Sequence, residues 1–172
     1  FAQANLMKCY YEKQDFVNSE IYADKVLKNP KMDDKIKSDA QIIIARSAIK
    51  TNNDAKAKEA YAKLQKIAKG ELAAEALYYD AYFKNKEAKF EASNKAVEKY
   101  SSTYSGYKYF GAKSLVVMAK NYYGLKDSFQ ATEILQSIID NFTEFPDVVT
   151  ECQTELDKIK AEEAKTNSSV TK

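Results

Sequence analysis

The chain has no histidine and no tryptophan among its 172 residues, and Arg46 is its single arginine. Without histidine the commonest metal ligand and the usual general base are gone. The two cysteines, Cys9 and Cys152, stand far apart with no CxxC spacing, so no zinc or haem site is expected, and they are read as two isolated helical residues, Cys9 in a core. With 26 of the 27 basic residues being lysine and a net charge of +2, bidentate phosphate or guanine recognition is poorly supplied and a nucleic-acid partner is not expected. Four glycines, two prolines and no long alternating apolar and polar runs leave little room for sheet. No apolar run approaches the length that crosses a bilayer, so no membrane insertion is expected. No cofactor is implied and no nucleophile, base and orienting group can be assembled, which speaks against an enzyme.

What the sequence does contain is itself, four times. Offsets of 38, 36 and 38 residues align it without gaps. Ala2, Ala40, Ala76 and Ser114 fall in one column, Met7, Ala45, Ala81 and Ala119 in a second, Ser19, Ala57, Ser93 and Ala131 in a third. Larger side chains follow in step: Ala23, Tyr61, Val97 and Leu135, then Val26, Leu64, Tyr100 and Ile138. Small residues at fixed places let two helices cross closely, and a helix pair of this size buries its apolar stripe only against neighbouring pairs. The reading is an all-α protein of four helix-turn-helix repeats at about 1–30, 36–70, 72–105 and 110–145. A C-terminal capping helix follows at 146–165, then a disordered tail at 166–172.

Local signals set the expected boundaries. Leu115, Met118, Ala119, Tyr122 and Tyr123 mark one helical face, and Asp127 caps the next helix. Asp15 caps the second helix of the first repeat, which Asn29-Pro30 ends. Leu6, Cys9 and Tyr10 are read as the buried face of the first helix, and the fourth helix as running through Ala68 to Gly70. Asp80 and Lys84 sit where the other repeats carry mostly apolar residues, so the third repeat's first helix is expected to roll Tyr79 and Phe83 inward. Phe1 is not an initiator methionine and Ala2 already holds a repeat position, so a piece of a longer protein is expected, with any targeting signal upstream.

These positions resemble the tetratricopeptide repeat, above all over Ala119 to Phe142, although the first-helix tryptophan is missing and the period exceeds the usual length. The resemblance implies a right-handed superhelix that binds proteins or peptides on a concave face lined by first helices. It assigns that groove Lys8, Tyr11, Ile42, Arg46, Ile49, Tyr78, Tyr82, Val116, Lys120 and Tyr123. Tyrosines among cations suit an acidic or C-terminal peptide, and reversing Arg46 and Lys120 to Glu is expected to leave the fold intact. The carboxylate clamp of co-chaperone members is absent. The segments from Tyr107 to Ser114 and from Asp127 to Asn141 are also similar to C-terminal repeats of long envelope-associated tetratricopeptide proteins of Bacteroidetes-type bacteria. This implies a scaffold in the periplasm or at the outer membrane, with a cytoplasmic setting as the alternative. A second reading is a structural module that self-associates through its terminal helices.

Overall fold

In the computed structural model the described residues are 2–170, with side chains described for 2–166. They form nine helices and no strand: α1 (Ala2–Glu12), α2 (Phe16–Lys28), α3 (Asp34–Lys50), α4 (Asp54–Leu64), α5 (Gly70–Lys86), α6 (Phe90–Thr103), α7 (Lys108–Gly124), α8 (Ser128–Asn141) and α9 (Pro146–Val170). The protein is all-α. The chain divides into two compact units, Phe1–Asp80 and Ala81–Lys172, with the division falling inside α5. In the first unit α1 packs on α2, α2 on α3 and α3 on α4; in the second, α6 packs on α7, α7 on α8 and α8 on α9.

The repeat is physical as well as textual. Apart from the first member Ala2, every residue in the five aligned columns is buried. The turn inside each pair repeats too. Gln14, Asn52, Ala88 and Lys126, at the same repeat position, all adopt positive φ between 54° and 68°. The residue after each returns its N–H to a carbonyl five residues earlier: Asp15 to Tyr10 at 2.9 Å, Asn53 to Ala48 at 2.8 Å, Lys89 to Lys84 at 2.9 Å and Asp127 to Tyr122 at 2.9 Å. This left-handed closure satisfies carbonyls that the ending helix leaves open. Asp15, Asn53 and Asp127 then cap the second helix by accepting from the N–H three residues on, while Lys89 has no side-chain cap bond. Where the third column holds serine, its hydroxyl bonds across the pair: Ser19 donates to the Met7 carbonyl at 2.9 Å and Ser93 to that of Ala81 at 2.7 Å.

The structure corrects four expectations. Helix α4 stops at Leu64, and Gly70, at φ 60°, opens α5 instead of closing α4. Cys9 and Leu6 are exposed, and α1 buries Ala4 and Met7 instead. Helix α9 continues past Ala164 to Val170, where a disordered tail was expected; residues 171–172 lie outside the described residues. Finally, α9 is more than a polar cap: its Val148, Cys152, Leu156 and Ile159 join the core formed by Ala112, Val116, Ala119, Ala131, Leu135 and Ile138. Cys152 lies 38 residues after Ser114, Leu156 after Met118 and Ile159 after Asn121. The ninth helix is therefore the first helix of a fifth repeat in register. Its residue in the small column is Asp157, which is exposed.

Phe83 is buried, and Tyr79 stacks on Tyr61 with ring centroids 4.1 Å apart. Burial pushes the Cys152 thiol up to about 11, with the Glu151 charge adding to it. At pH 8 such a thiol is ionised about one part in a thousand. A thiol reagent is expected to modify one equivalent quickly at Cys9 and the second only on unfolding; two fast equivalents in the folded protein would contradict this core placement.

Candidate functional site

The three cations assigned to a groove are each ion-paired within the chain. Lys8 on α1 donates to Asp39 on α3 at 2.7 Å. Arg46 on α3 makes two parallel bonds to Glu75 on α5, Nε to Oε1 at 3.0 Å and Nη2 to Oε2 at 2.5 Å. Lys120 on α7 reaches Glu151 at 2.7 Å and Glu155 at 3.4 Å, both on α9. Each is a cation on one repeat's first helix held by a carboxylate on the next repeat's first helix, with Asp39, Glu75 and Glu151 at the same repeat position. The pairs are rungs between successive repeats.

The Arg46 rung is the most buried. The Glu75 side chain is 3% exposed against 42% for that of Arg46. Tyr61 completes the site by donating its hydroxyl to Glu75 Oε1 at 2.8 Å. The hydrogen bonding that the guanidinium donates to Glu75 raises the Arg46 pKa above its ordinary value, outweighing burial, so the guanidinium stays charged. Burial first, then the Glu75 charge, push the Tyr61 phenol upward. Burial raises the Tyr11 pKa, with the Arg46 charge lowering it and the Glu75 charge adding to the rise. Substituting glutamate at Arg46 would set its carboxylate against that of Glu75, which is 3% exposed, so this reversal is expected to cost stability.

Among the remaining assigned residues, Ile42, Tyr78 and Val116 are buried and offer a groove little surface, because the helix faces that carry them pack inward. Ile49 and Tyr82 are half-buried; the Lys86 ammonium lies 5.5 Å from the Tyr82 ring centre. Lys120 and Tyr123 are brought together in the second unit. They line a cleft of about 290 Å³ with Asn85, Phe90, Leu135, Glu155, Lys158 and Ile159. Burial lowers the Lys120 pKa, but the Glu151 bond and the charges of Glu151 and Glu155 outweigh it and leave it raised. The Tyr123 hydroxyl donates to Glu162, and this bond raises its own pKa. Lys158, exposed, has no ion-pair partner among the described residues. The cleft therefore offers an apolar floor, an aromatic wall and one uncommitted ammonium.

Gly124 shapes this cleft. A Cβ there would lie 2.4–2.8 Å from three atoms of the Phe90 ring, so the ring must move to admit one. Gly124→Ala is expected to destabilise by about 1–2 kcal/mol, the overpacking exceeding the gain in helix propensity. An urea midpoint equal to or above wild type would show that the ring yields freely.

Behind the cleft lies a polar cluster that the sequence reading did not single out. Asn121 is fully buried on α7. Its amide donates to Ser93 Oγ at 2.8 Å and Asn94 Oδ1 at 2.7 Å, and its carbonyl accepts from Asn85 Nδ2 at 2.7 Å. A second cleft, of about 380 Å³, lies in the first unit among Asp34, Lys35, Ser38, Asp39, Ile67, Lys69 and Leu72, and contains none of the assigned residues. Among the described residues no group of three or more histidine, cysteine or acidic side chains is gathered to hold a metal ion, and no helix is long and apolar enough to cross a membrane.

Compared with known proteins, the chain matches no family model, no curated protein and no solved structure.

Proposed function

We propose that this chain is a non-enzymatic interaction scaffold of tetratricopeptide type, which holds a short acidic or C-terminal peptide segment of a protein partner. The carrying observation is the cleft of the second unit, where Lys120 and Tyr123 meet the uncommitted Lys158 above Phe90, Leu135 and Ile159. A volume of about 290 Å³ lies at the low end of ligand pockets and suits one or two side chains. An apolar residue would fill the floor while a neighbouring carboxylate meets Lys158 at the rim, the usual division between a dry centre and a polar edge. The right-handed superhelix, the wider concave groove and a cell-envelope location belong to the same proposal. Burial of the same columns in successive helix pairs supports the repeat type, because a stack of equivalent pairs offers extended surface for recognition.

A random-peptide display selection against the purified chain, repeated with Lys158→Glu, tests this. The expected result is enrichment of peptides with an apolar residue beside an acidic one, and loss of that enrichment on the variant. Enrichment that survives Lys158→Glu, or none at all, would sink the proposal.

A further inference from the structure

The cleft of the first unit holds a hydroxyl that the packing of the repeat does not need. Ser38 on α3 lines this cleft and is 6% exposed, yet its side chain makes no hydrogen bond among the described residues. The same repeat position holds Ala74 on α5 and Ala112 on α7, both fully buried, so alanine suffices for the helix contact. An enclosed hydroxyl without a partner costs stability, and a ligand that bonds it recovers what folding forgoes. Charged groups surround it. Asp34, Lys35, Ser38 and Asp39, spaced i, i+1, i+4 and i+5, share one face of the first two turns of α3, while Ile67 and Lys69 come from the connection to α5 and Leu72 from its first turn. Lys8 already holds Asp39. Asp34, Lys35 and Lys69 are exposed and have no ion-pair partner among the described residues. Ile67 is exposed and Leu72 half-buried, which gives the cleft an apolar side.

We infer that this cleft is a second binding site, which takes a free α-amino acid with an apolar side chain. The ligand's carboxylate meets the Lys35 and Lys69 ammoniums and accepts from the Ser38 hydroxyl, its own ammonium meets Asp34, and its side chain lies against Ile67 and Leu72. Each uncommitted group then has a counterpart. A ligand that is only an anion, such as inorganic phosphate, faces the carboxylates of Asp34 and Asp39 beside the two lysines, and a ligand that is only apolar leaves the hydroxyl and the charges unused. A zwitterion with an apolar branch answers all of them. The volume of about 380 Å³ lies at the low end of ligand pockets and suits a molecule of this size. Neither Lys120 nor Lys158 lines this cleft, so the inference stands apart from the proposed peptide site and is tested separately.

Calorimetric titration of the full chain with L-leucine is the test, with glycine, leucinamide, N-acetylleucine and inorganic phosphate as comparison probes. Leucine is expected to saturate a single site per chain. Glycine lacks the side chain, leucinamide the carboxylate, and N-acetylleucine and phosphate the ammonium, so each should bind at least about tenfold more weakly. Ser38→Ala should weaken leucine binding at least about fivefold and leave the urea midpoint at or above wild type, because the lost hydroxyl has no partner within the protein. Lys69→Glu should weaken it at least about tenfold, and Lys158→Glu should leave it unchanged. No leucine binding up to about 10 mM, N-acetylleucine or phosphate bound as tightly as leucine, leucine affinity unchanged by Ser38→Ala, or leucine affinity lost with Lys158→Glu would each overturn the inference.

Discussion

Glu75→Ala should destabilise the first unit by about 2–4 kcal/mol, read as a lower urea midpoint. Removing one member of a buried ion pair costs roughly 3–5 kcal/mol because the other charge is stranded. Here that charge is Arg46, whose head is partly in water, which reduces the cost. Against this reduction stands Tyr61, whose buried hydroxyl loses its acceptor and adds about 1–3 kcal/mol. Glu75→Gln keeps an acceptor for Tyr61 and should cost less than the alanine variant. Arg46→Gln leaves a carboxylate that is 3% exposed without its cation and should cost about as much as Glu75→Ala. If all three variants matched wild type within about 0.5 kcal/mol, the rung would contribute nothing to holding successive repeats.

The second large effect lies at Asn121. Asn121→Ala removes three hydrogen bonds and leaves the buried Asn94 carbonyl without the amide it accepts from, at an expected cost of about 2–4 kcal/mol. Phe83 fills the equivalent position in the preceding repeat, so an apolar residue fits this place in the architecture when its neighbours are also apolar. Asn121→Leu alone should still be costly, since Asn94 and Asn85 stay polar. Combining it with Asn94→Ala should recover part of the loss, giving a favourable coupling of about 1–2 kcal/mol in a double-mutant cycle. Strict additivity of the two substitutions would mean that these side chains do not act as a unit.

The helical repeat was legible because its spacing constrains small residues: Ala45, Ala81 and Ala119 sit in one column, and Met7, the one larger member of that column, is apolar and fully buried. Turn chemistry was legible at Asp15 and Asp127, where a carboxylate meets a helix start. The fifth repeat was not, because its small position holds the exposed Asp157 and the apolar series Val148, Cys152, Leu156 and Ile159 is diluted by the charged residues between. Leu6 and Cys9 misled for the converse reason, since an apolar stripe announces that a helix has a contact face without saying that the contact is present. The ion pairs between repeats were half legible. Residue type located cations on first helices, but the carboxylates that engage them lie 29 to 31 residues on, a spacing that becomes meaningful only once the pairs are stacked. Glu75 gave no sign in sequence, since a glutamate in a helix is ordinarily solvated.

The separation of rung from site can be tested in one set of titrations. A peptide obtained by selection against wild type is titrated into wild type, Lys158→Glu and Arg46→Gln, each first shown to be folded, at two ionic strengths. The account predicts that Lys158→Glu weakens binding at least about tenfold and removes most of the salt dependence, whereas Arg46→Gln lowers stability and leaves affinity within about twofold. An affinity that falls with Arg46→Gln and is indifferent to Lys158→Glu would contradict the account and return the binding surface to the cations that the structure assigns to its rungs.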